Sequence, residues 1–173
     1  MSAGMRIYTR KGDDGTTGLL YGGRVAKDSP GIEANGAVDE AQAALGVVRA
    51  EVERGSELDE LLVRLERELY VLMAELATAP ANRHKLTPAV SLVTEEMVSG
   101  LEPLVDALAG RFPPLADFVI PGHDRVAAGL DVARTAVRRA ERAVQAMATG
   151  GELEGSHAAA YLNRLSDLAW TMA

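Results

Sequence analysis

The chain contains no cysteine in 173 residues, which excludes disulfides, thiolate metal centres and a cysteine nucleophile, and fits a reducing compartment. Aromatic residues make up only 4% against 47% hydrophobic residues overall, so a core has to be assembled from Leu, Val, Ala and Met, a helix-forming palette. No apolar run approaches the roughly eighteen residues that cross a bilayer, and no secretory leader is recognisable before Arg6. The expectation is a cytoplasmic protein without a membrane partner. Excess positive charge is also missing: the formal net charge of −7 argues against nonspecific binding to nucleic acid, unless a local basic patch overrides it. Histidine is confined to His84, His123 and His157. "EGSH", ending at His157, has the Glu-x-x-His spacing of a di-iron bundle, but that chemistry needs two copies on facing helices. No GxSxG or HExxH string and no paired-carboxylate arrangement is present, so hydrolytic nucleophile chemistry lacks a carrier.

What is present is helical periodicity. Val38, Ala41, Leu45, Val48 and Val52 repeat at alternating three- and four-residue steps, as do Leu58, Leu62, Leu65, Leu69, Leu72 and Leu76. A third stripe, Met97, Leu101, Leu104 and Leu108, carries Pro103 and predicts a kink or an opened turn. "RFPPLADFVIPGH" is barred from helix by its prolines and predicts an ordered connection. Val126, Leu130, Ala133, Val137, Ala140, Val144 and Met147 form the fourth stripe, stopped by Gly150 and Gly151; Tyr161, Leu165, Leu168 and Met172 form the fifth. Short links between five stripes predict a single all-α domain over residues 1–173, an antiparallel five-helix bundle over 31–173 preceded by a glycine-rich segment over 1–30.

Two stretches stand out chemically. In "GLDVARTAVRRAERAVQAM" the residues Arg134, Arg138 and Arg142 are four apart, a like-charge spacing that costs roughly 0.2–0.5 kcal/mol per pair on a helix surface. A solvated face eased by Asp131 and Glu141 accounts for it; so does an anion site, because arginine forks match phosphate oxygens. The helix alone does not choose. In "TRKGDDGTTGLLYGG" the glycines 12, 15 and 18 alternate with Asp and Thr. Glycines let backbone N–H groups turn toward an anion, and Lys11 and Lys27 add charge. The string is neither GxxxxGK[ST] nor GxGxxG, nor an EF-hand loop, and a turn-rich loop or small hairpin explains it equally well.

Read together and in order, "YTRKGDDGTTGLLYGGRVAKDS", "EANGAVDEAQAALG", "FVIPGH", "ARTAVRRAER" and "YLNRLSDLAW" resemble the PduO-type family of ATP:cob(I)alamin adenosyltransferases over nearly the whole chain. The resemblance implies a homotrimer of helical subunits that binds ATP with Mg2+ at each subunit boundary, between the N-terminal loop of one chain and the arginine helix of the next. There the cobalt of cob(I)alamin takes the 5′-deoxyadenosyl group and triphosphate leaves. Carried over by position, Thr9, Arg10, Lys11, Gly12, Thr17, Gly18 and Lys27 match the ATP loop, Arg138, Arg139, Glu141 and Arg142 the ATP-contacting helix, and Asn163 a nucleotide contact. The catalytic roles fall to Arg138, Glu141, Arg134 and Asp39, the last two as a salt bridge between subunits. Phe118 matches the aromatic that helps keep the lower axial base off cobalt. No protein metal ligand is assigned, since Mg2+ travels on ATP. The strong nucleophile is the corrinoid itself, which agrees with the missing nucleophiles above.

Departures from the pattern are His123 after "PG", Asn35 where an aromatic is common, "DEAQ" for "DELN", and the chain's end at Ala173; the corrin side is where a difference is expected. The resemblance leaves open whether a cobalamin reductase or an acceptor enzyme docks. A non-catalytic trimer that senses or delivers ATP or corrinoid is the alternative.

Overall fold

The computed structural model describes residues 8–113 and 119–173. Among the described residues there are six α-helices and one small hairpin. β1 (Thr16–Gly18) and β2 (Arg24–Ala26) pair antiparallel with Thr16 opposite Ala26. The long helices are α1 (Pro30–Ala50), α2 (Glu57–Leu76), α5 (Arg125–Thr149) and α6 (Ala158–Met172). Between α2 and α5 lie a 3-10 turn, Pro80–Lys85, and the short helices α3 (Glu95–Ser99) and α4 (Glu102–Ala109). The fold is therefore mostly helical, with two corrections to the expected five-helix, all-α bundle. The third predicted helix is two, because Pro103 starts a new helix at α4 in place of kinking an old one. The glycine-rich segment contains a hairpin.

Neighbouring long helices run antiparallel. Gly31 at the start of α1 lies 3.4 Å, measured from the position of an added Cβ, from Met147 near the end of α5, whereas Gly129 near the start of α5 meets Val48 near the end of α1. A Cβ on Gly129 would sit 2.9 Å from Val48 Cγ2, so glycine is what lets these helices approach. α1 is tied to α2 by Asn35 Nδ2 donating to the Met73 carbonyl at 2.8 Å and by buried Gln42 donating to the Glu66 carbonyl at 2.6 Å. Both sequence departures thus serve packing, since each amide adds a second hydrogen bond to a carbonyl of α2 and ties the two helices together.

All five predicted stripes face one core. Val38, Leu45, Leu65, Leu69, Val137 and Leu165 are fully buried. Tyr161 is also fully buried and donates its hydroxyl to Glu68 at 2.7 Å, and burial, then Glu68, pushes that hydroxyl's pKa well above the usual tyrosine range.

Polar side chains set where helices start. Ser56 accepts from the Asp59 amide at the head of α2, and Asp59 accepts from the Gly55 amide at 2.9 Å and Arg49 Nε at 2.8 Å. These bonds, the Gly55 amide first, hold the Asp59 carboxyl below the usual carboxylate range. Asp124 caps α5 through the Ala127 amide at 2.9 Å and is lowered chiefly by that bond.

Candidate functional site: two cationic hollows

The first hollow belongs to the hairpin. Residues 19–23 turn with three successive left-handed conformations, Tyr21 (φ 64°), Gly22 (φ 95°) and Gly23 (φ 96°). Two glycines make this tight reversal accessible, while Tyr21 is held there against its own preference. Its anchors are visible: the Leu20 amide donates to the Ala77 carbonyl at 2.8 Å, Asn82 donates to the Tyr21 carbonyl, and Lys85 Nζ lies 5.9 Å from the Tyr21 ring centroid. The turn is thereby fastened to the end of α2 and to the 3-10 turn after it.

Ahead of β1 the chain folds on itself through Gly15 N–H to the Gly12 carbonyl at 3.2 Å and Lys27 N–H to the Gly15 carbonyl at 2.9 Å. Asp14 accepts from both the amide and the hydroxyl of Thr16, at 2.9 and 2.8 Å, and these two bonds lead in lowering its carboxyl below the usual range. Arg24 reaches back across the strands, donating to the Thr16 hydroxyl at 2.9 Å and to the Lys11 carbonyl. The result is a hollow of about 410 Å³. Thr9, Lys11, Gly12, Thr17, Gly18 and Lys27, all expected, line it, together with Thr16 and Arg24, which the sequence reading missed. Arg10 is not among the lining residues; its guanidinium lies 5.6 Å from the Tyr8 ring centroid. Gly12 is there because of close approach: a Cβ would stand 3.1 Å from Lys27 Nζ and 3.2 Å from the Thr16 carbonyl.

The second hollow, about 260 Å³, lies between α5 and α6 and is lined by Arg138, Glu141, Arg142, Gln145 and Asn163. Four-residue spacing stacks Arg138 and Arg142 on one flank of α5, where Arg142 Nη1 donates to the Arg138 carbonyl at 3.0 Å. Glu141 does not neutralise an arginine as its spacing suggested; it accepts from Asn163 Nδ2 at 3.0 Å. Arg139, one residue and about 100° round the helix, points to the other flank and forms an ion pair with Glu40 of α1. It was expected at the same site as Arg138, and within the chain it is not. Arg134 pairs with Asp131 at 3.2 Å on its own helix, and Asp39 lies exposed on α1. Phe118 falls outside the described residues.

The two hollows share no lining residue. Each has cationic donors, and the first adds Thr9 and Thr17 to its lining, a set that suits phosphate oxygens. Among the described residues no group of three or more His, Asp and Glu side chains could hold a metal ion, and no helix is long and apolar enough to cross a membrane.

Fold and hollows define a class: a helical-bundle protein carrying a lysine- and arginine-lined hairpin hollow at one place and an arginine-lined groove at another. Comparison with known sequences makes this specific. The profile of the cobalamin adenosyltransferase family matches residues 7–173, and the chain belongs to that family. It is 44% identical to a corrinoid adenosyltransferase of Citrobacter freundii, covering 97% of this chain and 93% of the relative. It is 40% identical to the corrinoid adenosyltransferase of Mycobacterium tuberculosis, over 96% of this chain and 86% of that one. Among solved structures, a variant PduO-type ATP:corrinoid adenosyltransferase from Lactobacillus reuteri complexed with cobalamin and ATP superimposes with a TM-score of 0.81 at 27% identity, covering 96% of this chain and 88% of that chain.

Proposed function

We propose that the chain is an ATP:cob(I)alamin adenosyltransferase whose active site joins the hairpin hollow of one subunit to the arginine hollow of the next. Family membership supports the reaction. The observation that carries the assembly is the separation of the two hollows within one chain. Each holds half of what a triphosphate needs. A second copy would bring them together, and cyclic closure of three such copies gives three equal sites. The outward faces of α1 and α5 suit such packing: Glu40 and Val47 on α1, and Val132 and Arg139 on α5, are seven residues apart in each helix, and the Glu40–Arg139 pair sets the two faces side by side. Val47 and Val132 are exposed, a small apolar surface for a partner to cover. Asp39 on that part of α1 is then free to meet Arg134 of a neighbour. The domain is residues 1–173 as a unit, with 1–30 as the ATP segment.

In the reaction the cobalt lone pair forms the Co–C5′ bond as the C5′–O bond breaks, and that bond's electrons leave with triphosphate. The protein's task is alignment and charge stabilisation. Lys11, Lys27 and the glycine-rich amides hold phosphate oxygens from one side, and Arg138 and Arg142 take up the developing negative charge from the other. Mg2+ would be carried in on ATP and supply charge neutralisation there; the loop carboxylate Asp14 is engaged by Thr16 and Arg24.

Anaerobic incubation with ATP and cob(I)alamin should yield adenosylcobalamin and triphosphate, and absence of product above the protein-free control overturns the proposal. The shared site has its own test. Lys11→Ala and Arg138→Ala, each inactive, are unfolded together, mixed equally and refolded. Randomly assembled trimers then contain about a quarter of sites with both halves intact. Recovery near that fraction supports a site between subunits, and no recovery places it within one chain.

A further inference from the structure

Asn163 lines the arginine hollow, and both ends of its amide are fixed by partners that leave no choice. Glu141 is acceptor-only, so the group facing it at 3.0 Å is Nδ2. Arg164 is donor-only, so the group receiving its Nη1 at 2.9 Å is Oδ1. The usual ambiguity of an amide's orientation is thus removed by chemistry. Arg164 is itself held from outside the hollow: its Nε donates to Glu102 of α4 at 3.1 Å, and Asp167, one turn along α6, lies 3.5 Å from it. A chain of alternating donors and acceptors therefore runs from α4 through Arg164 and Asn163 to Glu141 in the wall of the hollow.

Resting on the adenosyltransferase reading, we infer that Arg164 is a positioning residue that presents Asn163 to the hollow as a hydrogen-bond donor, dividing the hollow into an anion end and a nucleoside end. Arg138 and Arg142 form the anion end. At the other end stand the second Asn163 N–H, which donates, and the remaining Glu141 oxygen, which accepts. That pairing suits hydroxyl and amino groups of a neutral nucleoside, and the carboxylate repels phosphate. Arg164 does not line the hollow, so it acts on ATP only through the way it turns Asn163.

Calorimetric titration without corrinoid separates the two ends, using MgATP and inorganic triphosphate as probes on the wild type, Arg164→Ala and Arg164→Lys. In Arg164→Ala, Kd for ATP should rise about three- to tenfold, the worth of one oriented hydrogen bond. Triphosphate should stay within about twofold. Arg164→Lys keeps the charge and loses the fork that spans Asn163 and Glu102, so it should weaken ATP while leaving triphosphate alone. Equal weakening of both probes in Arg164→Ala, with both restored in Arg164→Lys, would reduce the residue to a bare charge and overturn the inference; so would unchanged ATP affinity in both variants. A wild type that binds ATP but makes no adenosylcobalamin overturns the transfer reading alone, since this comparison needs no turnover.

Discussion

The hairpin and the arginine flank of α5 present similar charge to solvent, yet they are built in opposite ways. The hairpin's residues are mostly exposed or half-buried, and its shape comes from short-range bonds such as Asp14 to Thr16 and Gly15 to Gly12. The arginine flank rests on Leu130, Ala133, Val137, Ala140 and Val144, all fully buried. In the first region shape is a property of the loop; in the second it is a property of the core. Damage to the hairpin should therefore change ligand binding with little change in stability, whereas α5 carries two separable layers, one for each.

Leu165→Ala, beneath the arginine flank, attacks the shared core and should lower unfolding free energy by about 2–5 kcal/mol, read by urea denaturation. Arg138→Ala, on the surface above it, should slow turnover about 10²- to 10³-fold while the urea midpoint stays put. If the two variants lose stability alike, the two-layer description of α5 fails. Gly129→Ala wedges a methyl against Val48 and should destabilise by about 1–3 kcal/mol without weakening triphosphate binding. Gly12→Ala is its counterpart in the hairpin, pressing on Lys27 and the Thr16 carbonyl. Its expected signature is a raised KM for ATP at an unchanged melting temperature.

The smallest effect is the acid response. Asp59 and Asp124 have carboxyls lowered by bonds made only in the folded chain. Their contribution to stability is complete above the unfolded value near about 4 and drains away as pH falls through the depressed native values. Asp14 is lowered in the same direction, but its protonation should loosen only the loop. Below about pH 4, Asp124→Asn should therefore flatten the fall in stability with pH, and Asp14→Asn, at an exposed carboxyl bonded mainly to its near neighbour Thr16, should flatten it less, as followed by thermal melts across that range.

The helices were legible because burial imposes a period: Leu62, Leu65, Leu69 and Leu72 could face inward together only on a helix, and all four are fully buried. The split at Pro103 was half legible, since proline forbids a continuous helix but is equally at home in the first turn of a new one. In the hairpin, Gly12, Thr17 and Lys27 were found by composition and resemblance. Arg24 was not, because its role arises from strand pairing that sets it near Thr16 across a five-residue turn, and nothing in local spacing announces that register. Arg139 shows the converse limit. It stands beside Arg138 in sequence and on another flank in space; the helical step of about 100° separates the two, but that Arg139 faces Glu40 requires knowing where α1 lies. Arg164 escaped notice for the same reason, as its partner Glu102 is far away along the chain.

The Leu20 amide, bonded to the Ala77 carbonyl at 2.8 Å, ties the hairpin turn directly to the end of α2. Most other backbone bonds of the loop join residues of the loop to one another and survive if the arm swings away as a unit. Leu20 thus acts as a clock on docking: its hydrogen-exchange lifetime measures how long the arm stays seated on its own bundle. Lengthening of that lifetime by ATP would show that the ligand is gripped by an arm already parked. An unchanged lifetime would mean that nucleotide capture is settled further out, among residues 11–18, before the bundle is informed.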